Sequence, residues 1–139
     1  MIKLSKSIKG WMGWLGLAVV LTAIFLFTAF QMFTGEHTKV IIQRITGLTE
    51  QDAYALNAIV RKTAHVIAFG LLGILLYRIV GRQSIVYAWL GATLMAVLDE
   101  WHQFFVPGRS PLFQDVILDS MAAWAVLWAI VLFKRNRER

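Results

Sequence analysis

Residues 10–35 form a run of 26 positions without a single charge. A helix rises about 1.5 Å per residue, and about 20 apolar residues cross the hydrocarbon of a bilayer. The run is therefore long enough to span. A secretory signal offers the rival reading, because the run follows Lys3, Lys6 and Lys9. But a signal's apolar region is about 7–15 residues and ends in small residues. Here the run continues through Phe25, Phe27, Phe30 and Phe33. It reads as a retained first membrane helix, with Trp11 and Trp14 at one interface. Composition agrees. The chain is 58% apolar and 16% charged, against about 45–50% and about 25% in soluble domains. The absence of cysteine excludes disulfides and thiolate chemistry. A net charge of +6 does not point to nucleic acid here, because the basic residues flank apolar segments as membrane topology requires.

The 139 residues suit one domain. The expected fold is all-α, a polytopic membrane protein with four transmembrane helices at about 10–34, 58–80, 83–106 and 111–133. Residues 36–57 are the only sizeable polar connection. Val40, Ile41, Ile42 and Ile45 give it an apolar side suited to the membrane surface. Gly47 is a break. Thr49, Glu50, Gln51 and Asp52 read as a capped helix start that continues through Arg61. Arg78 and Arg82 bracket a turn at Gly81. Pro107 and Gly108 end the third helix. Ser110 as cap and Pro111 at the first helical position start the fourth. Nine basic residues (Lys3, Lys6, Lys9, Arg78, Arg82, Lys134, Arg135, Arg137, Arg139) fall on one side and five (Lys39, Arg44, Arg61, Lys62, Arg109) on the other. The positive-inside rule then places both termini in the cytoplasm.

Residues 99–119 hold four of the eight carboxylates and both prolines, between two apolar segments. A second cluster, Arg61, Lys62 and His65, opens the preceding segment. Counted from the basic residues at the inner ends, His65 lies about 20 Å, Asp119 about 22 Å, Asp99 and Arg61 about 25 Å and Asp115 about 28 Å across. All fall in the outer third of a core about 30 Å thick. Arg61 and His65 are four apart, as are Asp115 and Asp119, and Asp99 and Gln103, so each pair shares a helix face. Such residues face a bundle interior and pair, because a charge at the bilayer centre costs about 3 kcal/mol or more. Three polar stripes are expected to converge.

His65, Glu100, Asp115 and Asp119 are candidate general acids and bases, since burial and neighbouring charges tune carboxylates and histidine. Arg61, Lys62, Asp99, Gln103 and Arg109 are candidate ligand-binding residues. Arg109 beside the helix start after Ser110 suits an anion, because helix N-termini and arginine both hold phosphate. The plainer alternative pairs Arg109 with Asp115 as a turn clamp. The blander reading of the whole cluster is an ion network fixing helix register. No positioned nucleophile is visible, and no metal-ligand motif; no cofactor is called for. The partner this implies is a membrane lipid or lipid-linked precursor, not nucleic acid.

The pattern Arg61-Lys62-x-Ala64-His65, then Asp99-Glu100-x-x-Gln103-x-Phe105-x-Pro107-Gly108-Arg109, then Asp115 and Asp119, resembles the VanZ-like family. These are small bacterial membrane proteins named for a member linked to teicoplanin resistance. The resemblance covers positions 61–119 and implies a functional site of Lys62, His65, Glu100, Gln103, Arg109, Asp115 and Asp119. It implies a cell-envelope role, with catalysis left open. Two departures stand out. Phe69 occupies a position where the family often has tyrosine, which removes a hydroxyl. Ala122 and Val126 follow the last aspartate where glycine is usual, so looser packing of the last helix is expected.

Overall fold

The computed structural model describes residues 6–29, 35–80, 85–107 and 111–139. The chain is all-helical over these residues: α1 Lys6–Ala29, α2 Gly35–Thr46, α3 Glu50–Val80, α4 Ile85–Phe104 and α5 Phe113–Arg137. The four expected membrane helices correspond to α1, α3, α4 and α5, with shifted ends. The polar connection contains a fifth helix, α2, with its apolar residues on one side. Gly47 breaks the chain after α2 at φ 68°, a left-handed conformation that favours glycine. Thr49 then caps α3 as expected. Its Oγ1 accepts the Asp52 N–H (3.2 Å) and donates to Asp52 Oδ2 (2.7 Å). The resulting helix is 31 residues long and runs from this cap through Arg61 into the second apolar segment, as expected.

The contacts fix direction. Cβ atoms placed on Gly13 and Gly16 would meet Ile79 and Leu75, so α1 runs antiparallel to α3. Lys62 and His65 meet Asp115 and Asp119 in the same order, so α3 and α5 run parallel. α4 lies antiparallel to both, with Gly91 against Leu76 and Thr93 against Ser120. The most extensive packing is between α3 and α5. Among the described residues α1 packs on α3 and α4 and does not touch α5.

Small residues draw these helices together. A Cβ on Gly73 would lie 3.4 Å from the Ala123 Cβ and 3.5 Å from its carbonyl oxygen. A Cβ on Gly70 would lie 3.2 Å from Val126 Cγ2. The looser packing expected at Val126 is therefore not found: the glycine sits on the facing helix instead. Phe69, Leu72, Ala92, Ala96 and Ala123 are fully buried at the centre of the bundle.

The opposite, outward faces are apolar and exposed, including Trp11, Val19, Leu94, Met121 and Phe133. Exposed apolar area of that extent marks a surface meant for a partner or for lipid. Two helices, α3 and α5, are long and apolar enough to cross a membrane, and α1 carries a shorter apolar run, Trp11–Leu26.

Candidate functional site

α3 carries Asn57, Arg61 and His65 at intervals of four, which places them on one face. Asn57 is buried, Arg61 and His65 half-buried. α5 presents Asp115 and Asp119 to the same side. His65 Nδ1 lies 3.1 Å from Asp119 Oδ2, and Asp119 is 1% exposed. One turn away, Lys62 Nζ lies 3.5 Å from Asp115 Oδ1. The lysine side chain is half exposed, whereas that of Asp115 is largely buried. These two rungs bridge α3 and α5. The plainer pairing of Arg109 with Asp115 falls on a residue outside those described. Ser110 and Gly108 lie outside them too.

α4 supplies the third stripe. Asp99, Glu100 and Gln103 are all buried, and Gln103 Nε2 donates to Asp99 Oδ2 at 2.9 Å. Asp99 and Asp115 lie close enough to act electrostatically on Glu100, as does His65. The same three act on Asp119. Lys62 and His65 of α3 thus meet α5 directly, and Asp99 and Glu100 of α4 lie within electrostatic reach of the same groups.

Glu100 has a further partner that spacing did not reveal. The N–H of Leu112 donates to Glu100 Oε2 at 2.8 Å. Leu112 is the N-cap residue of α5, in extended conformation and without a side-chain cap. The expected helix start is corrected accordingly. Pro111 lies before the helix, which begins at Phe113. The Leu112 amide is held by a carboxylate from another helix. It satisfies an amide that a helix N-terminus otherwise leaves open, and its charge suits that end of the helix dipole. At the other end of the same stretch, α4 stops at Phe104. Its last turn tightens through Phe105 and Val106 N–H bonds to the carbonyls of His102 and Gln103, ahead of Pro107.

Burial leaves other oxygens without company. Among the described residues, Glu100 Oε1 and Asp119 Oδ1 are buried with no hydrogen-bond partner, and so is Arg61 Nε. Such groups each cost about 1–3 kcal/mol, and each calls for an explanation such as a catalytic role or a bound water or ion. No group of three metal-ligating side chains suited to a cation occurs among the described residues.

The aromatic residues do more than fill space. Trp89 Nε1 donates to the Ser120 Oγ (3.0 Å) and carbonyl (3.2 Å). Ser120 Oγ also meets Thr93 Oγ1 at 2.8 Å. Ser120 is thus engaged structurally with α4, while its neighbour Asp119 engages α3. Phe69 is fully buried and stacks on His65, ring centroids 6.1 Å apart. A fully buried ring supplies packing where the resemblance expects a hydroxyl.

A second polar contact lies at the far end of the bundle. Lys134 Nζ donates to Tyr77 Oη at 3.0 Å and sits 4.6 Å from the ring centroid. Twelve residues of α3 separate it from His65, about 18 Å along the axis. The layer between is the apolar core.

The family model described as VanZ/LLP1 matches residues 11–134, nearly the whole chain. The chain belongs to the VanZ/LLP1 family. No curated protein matches it, and no solved structure does. VanZ/LLP1 membership fits an envelope-related protein, and the two membrane-capable helices fit a membrane location. It also extends the resemblance beyond positions 61–119, to the first helix and the last.

Proposed function

We propose that this VanZ/LLP1 protein is a four-span protein of the bacterial plasma membrane with both termini cytoplasmic. Its polar cluster, near the outer face, binds the headgroup of an anionic lipid or a lipid-linked cell-wall precursor. Binding alters envelope properties and so changes susceptibility to glycopeptides such as teicoplanin. The observation that supports this best is the pair of rungs between α3 and α5, Lys62 with Asp115 and His65 with Asp119. Ionisable groups buried in an apolar bundle are expensive and mark ligand sites by default. Lys62 is half exposed at the edge of the cluster, which suits an incoming anion. The alternating directions of α1, α3, α4 and α5 fit four crossings, and the basic tail after α5 fits a cytoplasmic end.

The test uses Lys62→Met, Arg109→Lys and Asp119→Asn, each checked for folding in detergent. Lipids retained by the purified protein are measured by mass spectrometry, and teicoplanin susceptibility is measured in cells. Loss of retained anionic lipid with intact folding supports the reading. Unchanged lipid and unchanged susceptibility in all three variants reject it.

One observation favours a second reading, an enzyme acting on such a lipid. A buried carboxylate 3.1 Å from a histidine orients the imidazole as a general base and stabilises its cation. Turnover decides. Incubation of the protein with envelope lipids then yields a new species that His65→Gln does not produce.

A further inference from the structure

The cations that α3 brings to the cluster are not equally provided for. Lys62 Nζ lies 3.5 Å from Asp115 Oδ1, and His65 Nδ1 lies 3.1 Å from Asp119 Oδ2. Arg61, next to Lys62 in sequence, belongs to none of the ion pairs among the described residues. Its Nε is buried without a hydrogen-bond partner among them. Other ionisable groups can shed an unmatched charge by taking up or losing a proton. A guanidinium cannot, because arginine stays protonated in proteins. A permanent charge is thus left to be matched from outside the described residues.

Direction separates Arg61 from its neighbour. Successive helical residues are about 100° apart, so residues eleven apart return to within about 20° of one line. Arg61 is thereby aligned with Leu72, which is fully buried at the centre of the bundle. Lys62 is aligned with Gly73, which faces Ala123 of α5. Arg61 points into the bundle, whereas Lys62 points toward α5, where Asp115 already meets it. Level then sets access. Gly91 of α4 packs on Leu76 of α3, and the two helices are antiparallel. Equal steps along them, from Gly91 to Val106 and from Leu76 back to Arg61, reach the same height. Val106 is buried in the tight turn that ends α4. Arg61 therefore stands half-buried at the mouth of the bundle, where an anion reaches it without crossing the apolar core.

We infer that Arg61 is the residue that grips a phosphate oxyanion in this site, through paired N–H···O bonds. A guanidinium presents its donors as a planar fork that matches two phosphate oxygens, whereas lysine offers a point charge. Lys62 at the edge draws the anion in, and Arg61 holds it. This rests on the reading of the polar cluster as a headgroup site and names the group that takes the phosphate. A lipid headgroup and a free phosphate share that chemistry, and the test separates them.

The test uses the full chain in neutral detergent, with binding measured by isothermal titration calorimetry. The probes are dioctanoyl phosphatidylglycerol, dioctanoylglycerol, which lacks the phosphate, and inorganic phosphate. Wild type is expected to bind phosphatidylglycerol at least about tenfold more tightly than dioctanoylglycerol. Arg61→Met is expected to lose at least about tenfold in affinity for it. Arg61→Lys keeps the charge without the fork and is expected to lose at least about threefold. Arg44→Met removes the same charge from an exposed position on α2 and stays within about twofold of wild type. Arg61→Gln serves if Arg61→Met fails to fold. Wild-type affinity in Arg61→Met or in Arg61→Lys overturns the inference. If Lys62→Met loses binding while Arg61→Met does not, the phosphate lies at Lys62 and the headgroup reading stands without this inference. If inorganic phosphate binds as tightly as the lipid and Arg61→Met abolishes that too, Arg61 keeps its role and the lipid reading falls. If wild type binds none of the probes, both fall.

Discussion

Glu100 reaches from the last turns of α4 to hold the Leu112 amide, 2.8 Å away, at the start of α5. A buried carboxylate in a candidate site thus fixes the turn that leads from one helix to the next. Glu100→Ala removes the acceptor from a helix N-terminus and is expected to cost about 1–3 kcal/mol. Glu100→Gln keeps an acceptor oxygen and is expected to cost about 1 kcal/mol or less. Thermal unfolding in detergent, followed by circular dichroism, checks the order. Equal losses for the two would mean that the negative charge, not the hydrogen bond, matters there.

The His65–Asp119 contact is buried, and breaking such a pair from one side leaves its partner stranded, at about 3–5 kcal/mol. His65→Ala and Asp119→Ala are each expected to lose stability on that scale, and Asp119→Asn to lose less because it still accepts from Nδ1. The double Ala variant is expected to fall short of the combined single losses by about 0.5–3 kcal/mol. A double-mutant cycle by denaturation measures it, and strict additivity would mean that the pair is not coupled.

Gly73 faces the backbone of Ala123 at ordinary contact distance for a Cβ. Gly73→Ala is expected to be tolerated, with helix propensity gaining up to about 1 kcal/mol. Gly73→Leu must push α5 away and is expected to cost about 1–3 kcal/mol. Unfolding midpoints distinguish them. A tolerated leucine would mean that α3 and α5 are further apart than described here.

At the other end of the bundle, Tyr77→Phe removes the Lys134 hydrogen bond but keeps a ring beneath the ammonium. It is expected to cost about 0.5–1.5 kcal/mol. Lys134→Met also loses the cation–π contact, worth about 0.5–1 kcal/mol at a half-exposed site. The second variant is therefore expected to be the less stable in the same unfolding assay.

What was legible in the sequence followed from spacing within one helix. Intervals of four placed Arg61 with His65 and Asp115 with Asp119, and the cost of burying charge implied that these stripes meet. The threonine cap at Thr49 and the break at Gly47 were equally legible, because both act through neighbouring backbone. The start of α5 was not. Serine–proline suggested a helix beginning at Pro111, but it begins at Phe113, and the acceptor for its N-cap amide is Glu100 on another helix, which only tertiary structure brings there. For the same reason Val126 looked poorly packed in its own helix, while its complement, Gly70, lies on α3.

Asp119 and Ser120 are successive residues, about 100° apart around the α5 axis. One is held by His65 on α3, the other by Trp89 and Thr93 on α4. Turning α5 in either direction would tear at least one of these attachments. Whatever movement accompanies its work, this helix is keyed against swivelling, leaving tilt and sliding along its own length as the freedoms that remain.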